Sequence, residues 1–133
     1  MSALPTDQYR AHRAERGSTS LQMVVLMPVL FAVMFLGLQA ALVYHARTLA
    51  LAAAQEGARM AGAERGTAAT GESAARGFLA DTAGDALGGS VVHGRRTATT
   101  STVTVSGRAL SVIPGWHPRV DQSASVPVER ITS

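Results

Sequence analysis

Leu21 to Tyr44, LQMVVLMPVLFAVMFLGLQAALVY, carries no charged side chain, and that constrains the chain more than any motif in it. As a helix rising 1.5 Å per residue the stretch reaches about 36 Å, more than the roughly 30 Å hydrocarbon core of a bilayer. A transmembrane helix is the expected structure. A buried helix of a soluble core seldom stays apolar all round for this length, and too little chain remains to wrap it. A cleavable secretory signal fits the basic start, but such signals have apolar regions of only about 7–15 residues, and Ala40-Ala41 offers a weak cleavage site.

The flanks set the expected topology. Residues 1–17 hold Pro5, Asp7 and Glu15 against Arg10, Arg13 and Arg16, with little apolar patterning, and read as a disordered cytoplasmic leader. Three arginines close to the span, against Arg47 alone beyond it, favour an amino terminus held inside. The expected arrangement is a single pass of the cell membrane by residues 18–45, with everything after it extracytoplasmic. All 12 basic residues are arginine, for a net charge of +3, and only Arg95 and Arg96 are adjacent. That scatter argues against a nucleic-acid-binding stripe. The absence of cysteine excludes disulfides and thiolate metal sites together.

Within the span, Pro28 removes one helical hydrogen bond and should kink or loosen the helix. Gly37 and Ala41 form a small-xxx-small pair that would let a neighbouring helix approach closely. Gln22 and Gln39 are the polar residues of the apolar run, each a candidate for an interhelical hydrogen bond. Beyond Tyr44, residues 46–66 continue as an extracytoplasmic helix in which Ala46, Ala50, Ala54 and Ala58 form one narrow face. It should end near Gly62 to Gly66.

Residues 67–133 read as a small α+β domain. A short amphipathic helix opens at Glu72, capped by Thr70 or Ser73, and stops at Gly88-Gly89. Val91-Val92 is a candidate strand. Thr97 to Gly107 alternates, with Val103 and Val105 facing one way and Thr102, Thr104 and Ser106 the other. In a last strand Val120, Gln122, Ala124, Val126 and Val128 share a face, and Pro127 places that strand at an edge. Pro114-Gly115 between them fits a type II turn. Helices followed by consecutive strands imply an antiparallel α+β arrangement.

No catalytic constellation emerges. His12, His45, His93 and His117 lack ligand spacing, so no metal or other cofactor is expected. Asp81 and Asp85 fall at i and i+4 of the expected helix, where carboxylates are usually solvated. There is no nucleophile elbow and no phosphate-binding glycine loop, so neither an enzyme nor a small-molecule site is expected. Trp116 is expected to plug a small core, with contact to lipid or a partner as the alternative.

The run Arg16-Gly17-Ser18-Thr19-Ser20-Leu21-Gln22, followed by an apolar span containing Pro28, resembles the leader junction of type IV pilin-like proteins. With the alanine-rich exit helix YHARTLALAAAQEGARMAG, and with VTVSGRALSVIPGW and a last strand ending PVER, the chain resembles more narrowly the TadE-like minor pseudopilins of the tight-adherence (Flp) pilus. The resemblance implies a structural role, packing with other pilin-like subunits on an assembly platform of a pilus or secretion apparatus. It also implies cleavage by a membrane-embedded prepilin peptidase between Gly17 and Ser18. Gln22 stands where the family usually carries glutamate, and an amide can accept a hydrogen bond from an ammonium without cancelling its charge. The alternative is a membrane-anchored extracytoplasmic binding module unrelated to pili, meeting its ligand through Val112 to Trp116.

Overall fold

The structure, a computed structural model, describes the backbone of residues 6–132 and the side chains of residues 16–132. Its first element, α1, runs unbroken from Thr6 to Gly62 and passes through Pro28. The leader is therefore helical from Thr6, where a disordered segment was expected; residues 1–5 of it lie outside the described residues. The reason is local, because residues 6–16 hold neither proline nor glycine and adjoin a helix already nucleated by the apolar run.

Contacts divide the chain into two units, Met1–Gly37 and Leu38–Ser133. The described residues of the first are all helix, and every side chain described in it is exposed. The second contains the rest of α1, the helix α2 (Ala68–Thr82), a 3₁₀ turn (Gly84–Ala86) and three strands, β1 (Leu87–Arg96), β2 (Thr100–Ala109) and β3 (Arg119–Pro127). The strands form an antiparallel meander in the order β1-β2-β3. The expected α+β class holds, and β3 with Pro127 is an edge strand as expected.

One face of this sheet builds the core. Val103 and Val105 of β2, Val120 of β3 and Val92 of β1 are buried together with Ala46, Ala50, Ala54 and Ala58 of α1 and with Ala75 and Leu79 of α2. The alanine face expected at four-residue spacing is thus the inner wall of the domain, joined by Ala53 and Ala61. Methyl-sized side chains let backbones come close. At the crossing of α1 and α2, a Cβ added to Gly71 would lie 2.6 Å from the Gly57 carbonyl oxygen and 2.6 Å from Ala61 Cβ. The outer sheet face is polar, with Thr102 and Thr104 hydroxyls 2.7 and 3.1 Å from those of Ser125 and Ser123.

Three local expectations fail. Helix α2 begins at Ala68 and its cap is Thr67, whose hydroxyl accepts from the Thr70 N–H at 3.1 Å while Thr70 Oγ1 accepts from the Thr67 N–H at 2.8 Å. This is a capping box with threonine in the place of the usual glutamate or glutamine. The helix stops at Thr82 because Gly84, two residues on, takes a φ of +49°. Gly88-Gly89 lies instead in β1, where the pairing with β2 is bulged between Gly88 and Val91. Asp81 and Asp85 consequently share no helix, since Asp85 falls in the 3₁₀ turn.

The two glycines of α2 with different surroundings separate packing from propensity. Gly77 has open space around an added Cβ, so Gly77→Ala should stabilise the domain by about 0.5–1 kcal/mol through helix propensity alone. Gly71→Ala gains the same propensity but forces α1 and α2 apart, and should destabilise by about 1–3 kcal/mol. Denaturant titration of both variants in detergent checks the opposite signs.

Candidate functional site

Gln39 is where α1 stops being bare and starts being covered. It is 1% exposed, whereas every described side chain of α1 before it is exposed. Its partners lie in the loop between β2 and β3. Gln39 Nε2 donates to the Leu110 carbonyl at 3.1 Å, and Gln39 Oε1 accepts from the Val112 N–H at 2.8 Å. The Ser111 hydroxyl stands 3.2 Å from the same oxygen and 2.9 Å from the Ile113 carbonyl, with one proton to serve either. One amide thus satisfies the backbone groups of a loop that makes no ladder bonds of its own. The interhelical partner expected for Gln39 is replaced by a partner within the chain.

The loop is shaped to meet it. Pro114 and Gly115 occupy the centre of a turn closed by the Trp116 N–H donating to the Ile113 carbonyl at 3.3 Å, and Gly115 has the positive φ, +77°, that a type II turn requires. Ala109 N–H donates to the Pro118 carbonyl at 2.9 Å and closes the base. Trp116 is 48% exposed at the loop surface. The expectation that it plugs the core is overturned: the core is made of alanine, valine and leucine side chains from α1, α2 and the sheet, without Trp116.

At the opposite end of the domain, Ser101 Oγ donates to the Ala58 carbonyl at 2.6 Å. From Gln39 to Ala58 the helix rises about 28 Å, and the extended chain from Ser101 in β2 to Leu110 just past its end covers about 30 Å. Helix segment and strand are matched in length, run antiparallel and are pinned at both ends. Beyond Ala58, Arg96 Nη1 donates to the carbonyls of Ala61 and Ala63 at 2.7 and 3.0 Å and also to that of Gly66. Those carbonyls at and beyond the end of α1 have no intrahelical donor, so a strand arginine terminates the helix.

The residues singled out in the sequence fall elsewhere. Gly17, Ser18, Gln22, Pro28 and Gly37 lie along α1 before Gln39, all exposed, and Ala41 is exposed just after it. An added Cβ at Gly17 or Gly37 would meet nothing within 4 Å. None of the six is brought to another in a pocket. Among the described residues no three His, Asp or Glu side chains gather as a metal-holding group. Val112 to Trp116 was singled out as a ligand-meeting segment and Arg96 only as the neighbour of Arg95; their bonds to the α1 side were not foreseen, because those partners lie at least 30 residues away in sequence.

Among the described residues one helix is long and apolar enough to cross a membrane, and it is continued into a small α+β domain. A helix of that length and composition supports anchoring of the protein in a membrane. Residues 17–59 match the family model described as TadE-like protein, the family that the chain resembles. No curated protein and no solved structure gives a significant match.

Replacing Gln39 by the apolar, similarly sized leucine leaves the Val112 N–H and the Leu110 carbonyl without their partner. Gln39→Leu should destabilise the domain by about 1–3 kcal/mol. Amide hydrogen exchange should show the loss concentrated at 110–113, with the Ser101 end unaffected.

Proposed function

We propose that the protein is a TadE-like minor pseudopilin, a structural component of a tight-adherence (Flp) pilus or related secretion apparatus, and that it works by helix packing and not by catalysis. The observation that carries the reading is that the family match begins at residue 17, the glycine of the candidate peptidase junction. In this reading α1 crosses the cell membrane once with its amino terminus in the cytoplasm. The lipid-exposed part runs from Leu21 to Leu38, about 27 Å of helix and close to the hydrocarbon thickness. The domain from Gln39 onward is extracytoplasmic.

The side chains before Gln39 are the surface offered to other pilin-like helices. Gly37 and Ala41 are both exposed and small, which suits close approach by a neighbouring backbone. Gln22 supplies an amide for the amino group of an adjacent subunit. Gly17 and Ser18 form the junction for a prepilin peptidase, because a side chain as small as hydrogen lets the backbone enter that enzyme's site.

The test is intact mass and N-terminal sequencing of the protein recovered from membranes, with and without the co-resident prepilin peptidase. A start at Ser18 that depends on the peptidase is expected. Gly17→Leu should retain the leader and lose assembly without loss of membrane insertion. An intact leader whether or not the peptidase is present would contradict processing and leave either an unprocessed component of the assembly platform or a membrane-anchored module unrelated to pili, which co-purification with pilus proteins distinguishes.

A further inference from the structure

The β2–β3 end of the domain carries a combination that folding alone does not explain. Arg108 and Arg119 are directly opposite one another across β2 and β3, both exposed and both on the outer face. Like charges placed opposite in an antiparallel pair destabilise it. Neither arginine forms an ion pair or hydrogen bond with any described side chain. Asp121 lies two residues along β3 from Arg119, and Asp85 lines a groove with Arg108 and His117.

Immediately beyond this pair the loop presents apolar surface. Leu110 and Trp116 are 45% and 48% exposed, and Val112 and Ile113 are half-buried. Large apolar side chains beside unpaired arginines form a surface with one wet charged layer and one dry layer. An indole with a polar N–H favours the boundary between such layers. The position of this surface along the helix is fixed, because the same loop holds Gln39, the residue directly following Leu38 at the end of the bare apolar run.

We propose that the Leu110–His117 loop and the Arg108–Arg119 pair seat on the anionic lipid headgroups of the bilayer that α1 crosses, with Trp116 at the headgroup–acyl boundary. Headgroup phosphates supply the negative charge that the paired arginines lack within the chain, and each arginine near an anionic surface is attracted to it. The seat fixes the domain against the membrane by a second point besides the helix. It rests on α1 crossing a bilayer and on no pilus partner.

Trp116 is the chain's single tryptophan, so its fluorescence reports this loop alone. The full-length protein is reconstituted into vesicles of phosphatidylcholine, with or without phosphatidylglycerol, and flotation with the vesicles is established first. Lipids brominated near the top of the acyl chain should quench Trp116 in the anionic vesicles, and aqueous acrylamide should not. Arg108→Gln and Arg119→Gln should each lower the ratio of seated to free loop about fivefold. In the unmodified protein, added salt should weaken the preference for anionic vesicles. Quenching by acrylamide and not by lipid in both vesicle types overturns the proposal. So does lipid quenching that is equal in the two vesicle types and insensitive to salt. Shielding from both quenchers means that protein covers the loop, whether a second copy or another helix, and also overturns it.

Discussion

The narrow alanine face of α1 is the constraint from which the rest of the domain follows. A three-stranded sheet of this size has one apolar face and no second sheet to cover it, and needs a helix packed closely along its full length. Ala46, Ala50, Ala54 and Ala58 permit that approach because they add almost no side-chain bulk and lose no rotamer entropy on burial. Larger residues at these positions would hold the valines of β2 off the helix. The glycine contact between α1 and α2 obeys the same economy of volume, so the domain is held by many close backbone approaches in place of a few large side chains.

Polar groups set where that packing begins and ends. Gln39 holds the β2–β3 loop at one end, while Ser101 and Arg96 hold the other end to the carbonyls of Ala58, Ala61 and Ala63. A face of identical alanines gives little resistance to sliding by one helical turn, because each turn presents the same shape. Hydrogen bonds with defined partners remove that freedom, since a slipped register would leave Gln39 buried without the loop and the end of α1 without its arginine. The same anchoring places the end of the covered helix at a definite residue, which gives the boundary between lipid-facing and protein-covered helix a physical cause.

Much of this was legible in the sequence, and the misses share a reason. The apolar run, the alanine spacing, the alternation through Val103 and Val105 and the Pro114-Gly115 turn are all local patterns whose physics acts within a few residues. The start of α2 was misplaced because Thr67 and Thr70 cap each other with two hydroxyls, where the familiar signature has a carboxylate or amide. Its end was misplaced because Gly84 took the terminating role and Gly88-Gly89 fell in a β-bulge. Gln39 was singled out as needing a partner, but that partner lies more than 70 residues along the chain, beyond any periodicity. Trp116 was assigned inside by the general habit of tryptophan, and it lies at the surface because the core is built from residues too small to surround it.

The account turns on Gln39 being the residue at which α1 passes from lipid to protein cover. The absence of native cysteine allows single cysteines to be spin-labelled along the helix and their oxygen accessibility and mobility measured in bilayers. Labels replacing Val33, Met34 and Leu36 should be oxygen-accessible on all faces. From Gln39 onward the profile should split, with a label at the exposed Tyr44 mobile and water-accessible and a label at Leu49, which is partly buried against the core, less mobile and less accessible to oxygen. An oxygen-accessible, lipid-like signature that continued on every face through Tyr44 and beyond would contradict it, and would show that the sheet does not cover the helix from Gln39.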